Sequence, residues 1–76
     1  MLRNEEMKLA DISKQVAQIP FRPFSIETGG GRWIDVIDQA SIYLPPRRPD
    51  LVIIFDSKDG GVIILEVDSI SALETR

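Results

Sequence analysis

The 76-residue chain contains neither cysteine nor histidine. Without thiols there is no disulfide staple and no cysteine nucleophile. Without either residue type the Cys/His zinc sites fall away, as does every mechanism in which an imidazole carries the proton. Basic residues are the minority charge: nine Lys and Arg stand against twelve Asp and Glu, a net charge of −3. Nonspecific nucleic-acid binding draws its free energy from phosphate neutralisation, so this balance argues against it unless a local basic patch exists. No apolar run approaches the roughly 20 residues that cross a bilayer. The opening Met1-Leu2-Arg3-Asn4-Glu5-Glu6 places acid where a signal peptide needs a basic region. The expectation is a cytoplasmic protein with no membrane segment, no metal and no cofactor. What remains, 43% hydrophobic and 28% charged residues, is the composition of a folded chain. The length permits one domain, residues 1–76, with a small core.

Leu2, Leu9, Ile12, Val16 and Ile19 recur at helical spacing with charged residues between them, which predicts an amphipathic helix over about 4–19. Asn4 is a candidate N-cap, Glu5 and Glu6 suit the positive end of the helix dipole, and Pro20 stops the helix. At roughly four turns it is marginal alone and must dock on something. After Pro20 the period changes. Phe24, Ile26 and Thr28 alternate with Ser25 and Glu27 as a strand, Gly29-Gly30-Gly31 turns, and Arg32 to Asp38 alternates again with Ile34 and Val36 on one side and Trp33, Asp35 and Ile37 on the other. Pro45, Pro46 and Pro49 forbid a central strand between Gln39 and Asp50, although Ser41 to Leu44 has room to pair briefly. Leu51 to Phe55 and Val62 to Val67 are apolar on both faces, and Ile70 to Leu73 forms a short last strand. The fold class is therefore mainly β with one N-terminal α-helix: four to five antiparallel strands over about 22–73, arranged as a small barrel.

Strands that are apolar on both faces need cover on both sides. One helix, about 10–12 Å across, covers roughly two strands. Assigned to Leu51–Phe55 and Val62–Val67, it leaves Trp33 and Ile37 over. Either their strand curls into the barrel or another chain covers them, which points to a homo-oligomer or a protein partner with Trp33, Ile37, Ile70 and Leu73 as interface candidates.

Several motifs hint at other chemistry. Gly29-Gly30-Gly31 leads into a strand, whereas phosphate loops open onto a helix, so its glycines serve a hairpin. Asp56-Ser57-Lys58-Asp59-Gly60 puts a lysine where a calcium loop needs an oxygen ligand and reads as a turn. Tyr43, Arg47 and Arg48, joined by Arg22 and Arg32, form the one basic and aromatic grouping suited to RNA or DNA, opposed by Asp50. Pro45-Pro46-Arg47-Arg48-Pro49 has the outline of a polyproline ligand and also of an ordinary loop. Asp35, Asp38, Glu66 and Asp68 would make an acid/base pair if two met in a cleft, but nothing in their spacing requires it. No catalytic residue is assigned.

The run Pro20-Phe21-Arg22-Pro23-Phe24-Ser25-Ile26, followed by a glycine turn and Arg32, resembles small uncharacterised bacterial proteins that open with this motif and an Asp-Gly-Arg turn. Here the turn reads Gly30-Gly31-Arg32. That resemblance implies architecture and no activity. The helix-first order, the glycine-arginine turn and the stretch Ile64 to Leu73 are similar to Sm-like small barrels, a relative of the SH3-like fold, which assemble as rings. In Sm proteins of archaea and eukaryotes Arg-Gly usually stands where this chain has Glu66-Val67, and the glycine-to-aspartate segment is longer. The resemblance implies a small barrel and, as the alternative to protein contact, an RNA-binding ring.

Overall fold

The computed structural model describes residues 4–56 and 60–75, with helix side chains from Lys8 onward. Leu2, the capping side chains of Asn4 to Glu6 and the loop positions Ser57 to Asp59 lie outside what is described. Helix α1 spans Asn4–Val16 and is followed by β1 (Phe24–Thr28), β2 (Trp33–Val36), a short 3-10 turn (Gln39–Ser41), β3 (Ile42–Tyr43), β4 (Leu51–Phe55), β5 (Val62–Glu66), a second 3-10 turn (Val67–Ser69) and β6 (Ile70–Thr75). The strands form two antiparallel three-stranded sheets, in the orders β2-β1-β6 and β3-β4-β5. The fold is therefore mainly β with one helix, with six strands where four or five were expected. The strand beyond the expected count is β3, two residues long within the Ser41 to Leu44 stretch that had room to pair briefly, and the expected last strand is β6, which runs past Leu73 to Thr75.

Inward-facing positions obey the two-residue period of a strand. Phe24, Ile26, Ile34, Val36, Ile42, Val52, Ile54, Val67 and Ile70 meet Ile12 of the helix in one core. β1 is central in its sheet, with Ile26 flanked in register by Ile34 on β2 and Leu73 on β6. This position explains why Ser25, expected on a wet face, is buried: strands cover it on both sides, and its Oγ donates to Asp35 Oδ1 at 2.7 Å. The β1–β2 turn is closed by Thr28 N–H to the Arg32 carbonyl at 2.8 Å and Gly31 N–H to the Thr28 carbonyl at 2.9 Å. Gly31 takes φ +82°, a conformation in which any Cβ is strained. The triple glycine is therefore a hairpin turn, as its sequence context required.

The helix departs from expectation in two ways. It ends at Val16 rather than near residue 19, and Gln39 Nε2, donating at 2.7 Å, satisfies the Val16 carbonyl, for which Pro20 offers no N–H. Ile19 consequently leaves the apolar stripe and is 95% exposed. The helix also docks elsewhere than on β4 and β5. Ile12 is fully buried, Leu9 and Val16 pack on the core, and Lys8 and Asp11 share a cleft with Ile70 to Leu73. It thus lies against β6 and the Val67–Ser69 turn, leaving the outer face of β3-β4-β5 uncovered.

Candidate contact surface

In the β4–β5 register, Leu51 faces Glu66, Ile53 faces Ile64 and Phe55 faces Val62, while Tyr43 on β3 faces Ile53. These residues share one parity and hence one side of the sheet, opposite to buried Val52 and Ile54. Tyr43 is 51% exposed, Phe55 46%, Val62 56% and Ile64 63%, with Leu51 and Ile53 half-buried between them. Among the described residues of these strands, Glu66 is the single charge on this face. A contiguous apolar patch rimmed by polar groups is the usual mark of an interaction surface.

The interface candidates read from the sequence divide. Trp33 and Ile37 are half-exposed on the outer side of β2, and with Ile63 and Asp56 they line a cleft of about 380 Å³ between that strand and the β4–β5 hairpin. Ile70 is 2% exposed and Leu73 half-buried against the core. Both side chains are used inside the chain because β6 pairs along β1 through Thr75 rather than standing free. Phe55, Val62 and Ile64 were not among the candidates. Their signal was present in two strands apolar on both faces, but it was assigned to the helix for cover.

The basic grouping is dispersed. Arg22 precedes β1 and Arg32 follows it, so the two sit at opposite ends of a five-residue strand, roughly 17 Å long at about 3.4 Å per residue. Arg48 forms a fork with Asp50, Nε to Oδ1 at 3.0 Å and Nη2 to Oδ2 at 2.9 Å. The hydrogen bond from Arg48 holds the Asp50 carboxyl below its ordinary value, and the same bond raises the guanidinium. Arg47 and Tyr43 are exposed beside this loop and strand. The carboxylates fall into separate groups. Asp35 is engaged by Ser25, Asp38 accepts a bond from Ser41 Oγ at 2.9 Å, and Glu66 and Asp68 instead join Asp50 around a hollow of about 190 Å³. Among the described residues no group of three or more Asp and Glu is placed to hold a metal ion, and no helix is long and apolar enough to cross a membrane.

No family model, curated protein or solved structure matches the chain.

Proposed function

We propose that the chain is a non-enzymatic small-barrel module, Sm-like or SH3-like in architecture, that works in the cytoplasm by self-association or protein contact through the outer face of β3-β4-β5. The likeness of Pro20–Ile26 to small bacterial proteins belongs to the same reading. The observation that carries it is the gathering of Tyr43, Phe55, Val62 and Ile64 on one sheet face that the helix leaves bare. A small scaffold without disulfides or metal holds only about 3–5 kcal/mol of stability from its core, and covering such a face by association is a common supplement. Trp33 and Ile37 form a second, smaller apolar surface across the cleft.

Light scattering and sedimentation velocity from low to high micromolar concentration test the reading. Growth in mass with concentration is expected, and Phe55→Ser should reduce it. A monomer throughout the range would sink the proposal. The alternative, an RNA-binding ring, has less support, since Arg22 and Arg32 lie far apart and Arg48 is engaged by Asp50. Fluorescence anisotropy with single-stranded RNA across a salt series separates the two, because phosphate-driven binding appears at low salt and weakens steeply as salt rises.

A further inference from the structure

The backbone of β5 is half paired, and two hydrogen bonds fix which half. Asp56 N–H donates to the Gly61 carbonyl and Val67 N–H to the Asp50 carbonyl, both at 2.8 Å. In an antiparallel pair, residues that exchange bonds alternate with residues that do not. In the register from Leu51↔Glu66 to Phe55↔Val62, Ile63 and Leu65 therefore direct their amides and carbonyls to β4. Val62, Ile64 and Glu66 direct theirs away from it, toward a side on which no strand is paired. Ser69 Oγ reaches the Glu66 carbonyl at 2.7 Å. These same three residues turn their side chains to the exposed outer face.

Proteins guard free strand edges with proline, charge, brevity or a covering element. The other three edges of this fold are guarded. β3 has two residues and runs into Pro45 and Pro46, β2 has four and carries Asp35 facing outward, and β6 shares a cleft with the helix residues Lys8 and Asp11 and bears Glu74. Val62 to Leu65 has no proline, lysine or inward charge.

We infer that the edge of β5 is completed by β5 of a second copy, antiparallel and related by a twofold axis. This rests on the reading that the chain self-associates, and it adds a contact at the β5 edge, which continues the apolar face onto the partner beside it. A strand whose outward donors and acceptors alternate is complementary to its own twofold image. The register that sets Val62 opposite the partner's Ile64 satisfies both residues' outward groups, pairs apolar with apolar, and sends the two Glu66 carboxylates to opposite ends, where they do not face each other. Two five-residue strand edges laid side by side stand at the weak end of specific interfaces, which bury about 1,000 Å² or more in total. The dimer is accordingly concentration-dependent.

Amide hydrogen exchange on the full chain, read by NMR at two concentrations, tests this. The Val62 and Ile64 amides, which have no strand partner within the chain, should exchange at least about tenfold more slowly in concentrated than in dilute protein. Ile64→Pro removes an outward N–H without removing a bond to β4, a position where an edge strand tolerates proline. It should leave the circular dichroism unchanged and the protein monomeric, whereas Ile64→Val should remain dimeric. A dimer whose Val62 and Ile64 amides exchange as fast as in dilute protein overturns the inference while leaving self-association standing. A monomer at every concentration overturns both. Should Ile64→Pro fail to fold, the exchange rates of the unaltered chain decide.

Discussion

Ile54 and Ile64 carry the same side chain on neighbouring strands and face opposite ways, one fully buried and the other 63% exposed. Ile54→Ala and Ile64→Ala are therefore a matched pair. Truncation removes three carbons, which at ~0.8 kcal/mol per buried methylene amounts to about 2.4 kcal/mol at Ile54. The cavity left behind raises this to about 3 kcal/mol. In a chain of this size that is most of the stability, so Ile54→Ala stands at the edge of unfolding. At Ile64 only about a third of the side chain is covered, and the cost in dilute protein is about 0.9 kcal/mol. Concentrated protein reverses the emphasis. Only folded chains associate, so each tenfold rise in concentration stabilises a dimer by about 1.4 kcal/mol. Ile64→Ala should lose most of that gain, and Ile54→Ala should keep it. Urea unfolding followed by far-UV circular dichroism at two concentrations measures all four quantities. The reasoning is refuted if Ile64→Ala costs as much as Ile54→Ala in dilute protein, or if the unaltered chain unfolds at the same urea concentration in both.

Three further outcomes are expected. Gly31→Ala should destabilise by about 1 kcal/mol because of the positive φ at that position, while Gly30→Ala, with open space around the added carbon and no positive φ, should be neutral in thermal unfolding. The Asp50 carboxyl, followed by its carbon chemical shift, should titrate below an ordinary aspartate and return to the ordinary value in Arg48→Ala. A depressed carboxyl stabilises the fold above its unfolded value and loses that contribution as pH falls through its folded value. With both side chains more than half exposed, the pair's contribution to stability is small and shrinks with salt. Trp33, 45% exposed and on β2 rather than β5, should be quenched by acrylamide equally at low and high protein concentration. Protection that grows with concentration would move the interface to the Trp33 and Ile37 surface.

Much of this architecture was legible in the residue pattern. The alternation from Phe24 to Asp38 set Ile34 and Val36 on the side opposite Trp33, Asp35 and Ile37, and the prolines after Leu44 kept β3 short. The docking of the helix was not legible. It depends on Gln39 meeting the Val16 carbonyl and on the Val67–Ser69 turn, contacts between residues distant in sequence that carry no local period. From composition alone, β4 and β5 compete with β2 for a single helix, and only the tertiary arrangement assigns it to β6. Exposed apolar area was expected at Trp33 and Ile37, which are half-exposed, and the structure adds Tyr43, Phe55, Val62 and Ile64. The dispersal of Arg22 and Arg32 follows from the hairpin, whose two ends they occupy.

The pairing of β1 with β6 bears on the order in which the chain acquires its shape. The β1–β2 and β4–β5 hairpins close over a few residues, whereas Thr28 and Ile70 must find each other across about forty residues, a closure that costs about 3 kcal/mol of chain entropy. Contacts that distant are made late and set the folding rate. Until β6 joins, β1 has one flank bare, and Ile26 gains its second neighbour only once Leu73 pairs beside it. That bare flank is the surface through which an incompletely folded chain is most prone to stick to others.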